Sequence, residues 1–127
     1  MRLKNLPTEF LEKCRSAMST EQAVSLAATS NWSHVDRQKV HQDWDALYKQ
    51  LVQMVDHEAP DAPAVQELIA QHYAVASRFY VASGHAYVGM ALFYQENDDM
   101  RTFHNAYHPG MVEFLGDAVY AFAKARP

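Results

Sequence analysis

The sequence predicts an all-α protein, a compact bundle of six to seven helices. Apolar residues recur at helical spacing, and no run of β-branched residues alternates with polar ones. Five prolines and four glycines in 127 residues are too few for a loop-rich sandwich. A composition of 49% hydrophobic and 20% charged residues excludes a disordered chain. The length of 127 residues is enough to enclose one hydrophobic core. We therefore expect one domain over residues 1–127.

The first half of the chain predicts three helices. Two short ones, TEFLEKCRSAM and EQAVSLAAT, come first, because Ser19 and Gln22 have the spacing of a capping box. A long helix from about Ser33 to His57 follows. Its apolar face is formed by Val40, Trp44, Leu47, Tyr48, Leu51 and Val55.

The second half begins at HEAPDAP, a loop within the domain, since Pro60 cannot lie inside a helix and Pro63 suits a first helical turn. A helix from about Ala62 to Val81 is predicted next. His72 and Phe79 lie on its apolar inner face.

The last three helices are predicted from their N-terminal signals. Ser83 is a cap for SGHAYVGMALFYQ, whose apolar residues cover nearly every side, as in a helix at the centre of a bundle. Asn97 can cap a short helix that ends near Tyr107. Pro109 can start the final one.

Charge and cysteine usage exclude several classes of function. The net charge of -4 disfavours direct contact with nucleic acid, which needs clustered positive charge. No apolar run is long enough for a membrane span or an export signal. Cys14 is the one cysteine, which suits a reducing, cytoplasmic setting.

Four tyrosines spaced by seven residues form two pairs on two helices rather than a coiled-coil seam, because Ser83 and Gly84 separate Tyr73 and Tyr80 from Tyr87 and Tyr94. They are either core residues or walls of a site. Seven Tyr, six Phe, two Trp and six Met favour the second interpretation, since adaptable and aromatic side chains bind bulky ligands.

Catalytic and metal-binding patterns are missing. Neither HExxH nor ExxH occurs, and Pro109 disfavours helical geometry at His108, four residues after His104. Cys14 follows Lys13 in a predicted surface helix without an evident base. We predict no enzyme, no metal and no cofactor. For His72 we favour a polar group in a pocket over a haem ligand or general base, although its ring nitrogen could simply be satisfied by a tyrosine or a carbonyl.

Several segments of the C-terminal half follow one another in a fairly specific order and spacing: HY at 72–73, AYVGMALFY at 86–94, the turn at Asn97, Phe103, Tyr107 and PGMVEFLGDAVYAFA at 109–123. Together they resemble the TipAS antibiotic-recognition domain, the effector-binding part of some MerR-type transcription regulators. The resemblance implies a globin-like helical fold without haem. It also implies an aromatic cleft for bulky peptide antibiotics, and an N-terminal segment, here residues 1–30, that closes over the ligand as a mobile lid.

Two departures qualify what the resemblance implies. The family has a member with a cysteine on the helix matching AYVGMALFY that bonds covalently to thiopeptides, and Gly89 stands there in this chain. Non-covalent binding is therefore expected. The DNA-binding and dimerising segments of a MerR regulator are not in this sequence, so a DNA-binding domain would be fused or separate.

We expect a cytoplasmic domain that binds bulky, largely apolar, antibiotic-like small molecules, either sequestering the drug to give resistance or sensing it for a transcription regulator. The rival hypothesis is a protein-interaction or dimerisation module without a small ligand. The residues predicted to line the cleft are Trp32, Trp44, His72, Phe79, Tyr80, Tyr87, Met90, Tyr94, Phe103, Tyr107 and Met111.

Overall fold

The structure is a computed structural model that describes residues 2–125, and it confirms the all-helical prediction: these residues form helices and turns without a strand. A 3-10 turn at Leu3–Asn5 precedes the first α-helix. The six α-helices are α1 (Thr8–Ala28), α2 (Arg37–Val52), α3 (Pro63–Ala76), α4 (Gly84–Glu96), α5 (Asp98–Asn105) and α6 (Met111–Ala125).

Helix α4 lies at the centre of the bundle, as its all-round apolar sequence predicted. It packs against α1, α5 and α6, while α2 pairs with α3 and α3 also contacts α6. The residues that α4 buries are Ala86, Tyr87, Val88, Gly89, Ala91, Leu92 and Tyr94. None of the helices within residues 2–125 is long and apolar enough to cross a bilayer.

The prediction of two short N-terminal helices is wrong, because α1 runs without a break from Thr8 to Ala28. Ser19 is exposed in mid-helix instead of capping a new one. Continuous packing along α4 outweighs the weak local signal of Ser19 and Gln22. The backbones of α1 and α4 approach closely at Gly89, where an added Cβ would lie 2.2 Å from the carbonyl oxygen of Cys14.

The predicted caps at Ser83 and Asn97 are confirmed, and the boundaries of three helices differ from the prediction. The side chains of Ser83 and Asn97 accept hydrogen bonds from Ala86 and Met100 N–H. Helix α2 is shorter than predicted at both ends, since Asp36 caps it through Lys39 N–H and turns follow Val52.

Helix α3 ends at Ala76 rather than Val81. The chain turns away there, and Tyr73 donates its hydroxyl proton to the carbonyl of Ala82 beyond the turn. Phe79 therefore lies in a connecting segment rather than on a helix face. Helix α6 begins at Met111, because Pro109 and Gly110 lie in the preceding turn.

Candidate ligand-binding site

The connection between α1 and α2 has an unusual backbone. Ser30, Asn31 and Trp32 have φ values of 52°, 61° and 63°. These values lie in the left-handed region, which residues other than Gly, Asn and Asp seldom adopt. Thr29 Oγ1 accepts from Trp32 N–H over 3.0 Å, and the Trp32 indole N–H donates to Ser25 Oγ over 2.8 Å. The turn thereby fixes an indole ring against the bundle.

Trp32 packs against aromatic side chains of the segment after α3. Its ring centroid lies 4.9 Å from that of Phe79 in an edge-on contact and 6.3 Å from that of Tyr80 in a stacked one. Phe79 in turn stacks on Trp44 of α2 at 6.3 Å. These rings join the connection between α1 and α2, helix α2 itself and the segment after α3.

The rings enclose a hollow of about 150 Å³, which we call the Trp32 hollow. Polar contacts outside the hollow join the same segments: His34 Nε2 lies 3.0 Å from the carbonyl of Arg78, and the Arg78 guanidinium pairs with Asp43 at 2.6 Å. The lining residues are Gln22, Trp32, Trp44, Ala76, Phe79, Tyr80, Ala82, Ala86, Tyr87 and Met90.

A second hollow, of about 210 Å³, lies between α2 and α5, and we call it the Phe103 hollow. Trp44 is a wall of both hollows. The Phe103 side chain is 46% exposed, so an aromatic ring stands open to solvent here. The lining residues are His41, Trp44, Tyr48, Asp99, Met100, Phe103 and His104.

Between the walls of the two hollows, a buried chain of hydrogen bonds runs through four helices. His104 Nδ1 lies 2.7 Å from the carbonyl of Met100, which can only accept, so Nδ1 carries the proton. In a neutral ring Nε2 then accepts, and Tyr48 donates to it over 3.0 Å. Tyr48 accepts in turn from Nε2–H of His72 at 3.0 Å, which leaves His72 Nδ1 to accept from Tyr87 at 2.8 Å.

The two histidines in this chain of hydrogen bonds, His72 and His104, are neutral near pH 7. Burial, with a smaller effect of His104, lowers the pKa of His72 to about 3. Burial also lowers the pKa of His104, opposed by its bond to the Met100 carbonyl. Desolvation raises the pKa of Tyr48 and Tyr87 well above its usual value, so both remain donors. With neutral imidazoles and protonated phenols, each hydrogen bond in this chain has one fixed donor and one fixed acceptor.

Of the eleven residues predicted to line a cleft, the structure places seven on the walls of the two hollows. Six lie at the Trp32 hollow, and Phe103 and the shared Trp44 lie at the Phe103 hollow. Those seven are Trp32, Trp44, Phe79, Tyr80, Tyr87, Met90 and Phe103.

The other four predicted residues lie behind or beside the walls. His72 stacks beneath Trp44 with centroids 5.2 Å apart, and Tyr94 stacks on His104 at 4.3 Å. Tyr107 packs on Phe103 and donates to Asp45 over 2.6 Å. Desolvation, reinforced by Asp45, raises the pKa of Tyr107 to about 12. Met111 is fully buried in the core.

His72 was expected to be a polar group in a pocket, but it is fully buried and lines neither hollow. Tyr48 and Tyr87 occupy both of its ring nitrogens, which is the alternative that the sequence left open. Sequence reasoning assigned Tyr48 to the apolar face of its helix but missed its central position in the site. The available signal was a tyrosine in the middle of an apolar stripe, which needs a buried partner for its hydroxyl.

Cys14 is buried rather than in a surface helix, and burial raises the pKa of its thiol to about 11. The position is unsuited to a reactive thiolate. His108 pairs with Asp56, away from the buried His104. Within residues 2–125, no three His, Cys, Asp or Glu side chains are grouped as metal ligands would be.

Comparison with known protein families gives a match over most of the chain. The model of the TipAS antibiotic-recognition domain matches residues 12–122. No curated protein and no solved structure matches the chain. The match spans all six α-helices apart from the first turn of α1 and the last residues of α6. The chain therefore belongs to the TipAS family of antibiotic-recognition domains.

Proposed function

We propose that the chain binds bulky, largely apolar small molecules of the antibiotic type without forming a covalent bond. The observation that carries the proposal is the position of Trp44 as the common wall of the Trp32 and Phe103 hollows. Ligand pockets usually measure about 300–1,000 Å³. Each hollow is smaller than that. A ligand that extends past Trp44 into both is therefore a large one.

The ligand would be held between aromatic faces and aligned by few polar groups. Burial of apolar surface contributes about 25 cal/mol per Å² before ordering costs are deducted. In the Trp32 hollow Tyr87 contributes its ring, because its hydroxyl is bonded to the buried His72, and the Gln22 amide is a polar group on the wall. At the Phe103 hollow, Asp99 and His41 provide a polar rim.

Non-covalent binding is supported by the surroundings of the two relevant positions. Gly89 has no room for a side chain beneath α1, and Cys14 is a buried thiol with a raised pKa. For the proposed lid, residues 1–30, the described part already lies against the bundle, since α1 packs along α4 and Gln22 lines the Trp32 hollow. The lid would therefore have to open for a ligand to enter and close again over it.

Binding has two possible consequences in the cell. Acting alone, the chain would sequester the drug and confer resistance. Joined to, or working with, a DNA-binding domain of MerR type, it would sense the drug and switch transcription. Both roles place the chain in the cytoplasm, where a lone cysteine stays reduced.

The test is a thermal-shift screen with thiopeptides and other natural-product antibiotics, run beside size-exclusion chromatography. We expect a monomer with a higher melting temperature in the presence of at least one bulky compound. Phe103→Ala should reduce that shift, while Phe93→Ala, which removes another exposed phenylalanine outside both hollows, should leave it unchanged. A tight dimer indifferent to the whole panel would overturn the proposal in favour of an interaction module.

A further inference from the structure

A third cavity, of about 440 Å³, shares no lining residue with the two hollows. It lies where the first turns of α1 and α4 meet the last turns of α6, and we call it the Phe10 cavity. Its volume is within the range of small-molecule sites. The lining residues are Phe10, Ser83, Gly84, His85, Val88, Tyr120, Ala123 and Lys124.

Three rings from three helices form the walls of the Phe10 cavity. The ring centroid of Phe10 lies 5.7 Å from that of His85 and 5.8 Å from that of Tyr120, the latter edge to face. The rings are in contact at these distances, and Gly84 and Ala123 contribute little bulk to the walls, which leaves the cavity open beside the rings. Walls of this kind suit a planar aromatic body.

The polar groups of the Phe10 cavity that remain available are cationic or neutral donors. Lys124 Nζ lies 5.7 Å from the centroid of Tyr120, and no carboxylate is among the lining residues. The Ser83 side chain is already engaged by Glu21 and Ala86. The His85 ring makes no hydrogen bond within residues 2–125. Charge complementarity therefore favours an anionic group at Lys124.

We propose that the Phe10 cavity is a second binding site, for a small aromatic organic anion. The aromatic body would lie against the rings of Phe10, His85 and Tyr120, with its sulfonate or carboxylate at the Lys124 ammonium. The proposal is independent of antibiotic binding at Trp44, because the two sites have no residue in common.

The test compares two probes with related ring systems, anionic 8-anilinonaphthalene-1-sulfonate and neutral N-phenyl-1-naphthylamine, by fluorescence titration. We expect one saturable site for the sulfonate. Lys124→Gln should weaken sulfonate binding about two- to five-fold, the range for an exposed ion pair, and leave the neutral probe unchanged. Ala123→Phe should fill the cavity and abolish binding of both. Ala125→Phe, which changes an exposed alanine outside the cavity, is the control.

Methyl NMR of the unmutated chain locates the probe without relying on a variant that folds. Bound sulfonate should shift the methyl signals of Val88 and Ala123, which line the cavity, and spare that of Met90 in the Trp32 hollow. Shifts at Met90 instead would overturn the proposal. Sulfonate binding that survives Ala123→Phe, or that is unchanged by Lys124→Gln, would overturn it as well.

Discussion

The indole of Trp44 stacks on the imidazole of His72 with ring centroids 5.2 Å apart, and the indole N–H donates to the backbone carbonyl of His72 over 3.3 Å. His72 is fixed by Tyr48 and Tyr87, so the orientation of Trp44 depends on the buried chain of hydrogen bonds behind it. The common wall of both hollows is thus set in place before a ligand arrives.

Trp44→Ala should weaken antibiotic binding by at least about 30-fold, the loss expected for an aromatic anchor worth about 2 kcal/mol. The change removes a wall from both hollows at once. Trp44→Phe keeps a ring against His72 and is the control, with an expected loss below about ten-fold. Isothermal titration calorimetry would measure both, and equal losses for the two variants would contradict a role for the stacked wall.

Tyr48→Phe should destabilise the fold by about 2–4 kcal/mol in urea denaturation. It removes the acceptor of His72 Nε2–H and the donor to His104 Nε2, leaving two buried groups without partners. Tyr87→Phe is the matched comparison, because it removes one donor, to His72 Nδ1, and should cost about half as much. A smaller loss for Tyr48→Phe than for Tyr87→Phe would show that the chain is connected differently.

Stability should fall as the pH is lowered from 7 to 5. The folded-state pKa of His72 is about 3 and the unfolded value is about 6.5, so the unfolded chain binds more protons between these values. The free energy of unfolding then drops by up to about 1.4 kcal/mol per pH unit below 6.5, or about 2 kcal/mol at pH 5. His104, with a pKa also lowered by burial, acts in the same direction.

Urea denaturation at several pH values measures this dependence. His72→Gln should flatten the curve, whereas His57→Gln, which changes an exposed histidine, should leave it as it is. A wild-type curve that stays level from pH 7 to pH 5 would mean that His72 is not a buried neutral base.

Gly89→Ala should destabilise the protein by about 1–3 kcal/mol despite the better helix propensity of alanine. The added methyl group would lie 2.2 Å from Cys14 O and 2.8 Å from Met18 Cβ, so α1 must move away from α4. Gly110→Ala is the control, because its nearest neighbours are 3.5 Å away, an ordinary contact. Thermal unfolding with similar melting temperatures for both variants would refute the close approach at Gly89.

Ser30→Gly should leave stability unchanged or raise it by up to about 1 kcal/mol, because glycine adopts a positive φ without steric cost. Ser16→Gly, at an exposed position inside α1, should instead cost about 0.5 kcal/mol. The difference between the two in chemical denaturation checks the left-handed turn. A loss at Ser30 as large as that at Ser16 would argue against it.

Local sequence signals predicted most of the fold. The caps at Ser83 and Asn97 and the early proline of α3 were read correctly, since each depends on a few neighbouring residues. The continuity of α1 was missed because it depends on contact with α4, a helix that is distant in sequence.

The candidate site was predictable in composition but not in arrangement. An excess of aromatic residues indicated a site, and Trp44, Phe79 and Tyr87 do line the Trp32 hollow. The role of Tyr48 was not predictable, since its partners His72 and His104 are 24 and 56 residues away. The Ser30–Trp32 turn was equally hidden, because Asn31 tolerates a left-handed backbone but Ser30 and Trp32 seldom adopt one.

Methionine-methyl NMR tests the central claim most directly, because the chain carries natural reporters. Met90 lines the Trp32 hollow, Met100 lines the Phe103 hollow, and Met111 is buried in the core. On adding the antibiotic that stabilises the protein most in the thermal screen, the methyl signals of Met90 and Met100 should both shift while that of Met111 stays in place. Shifts at neither Met90 nor Met100, with binding otherwise saturable, would contradict a ligand site around Trp44.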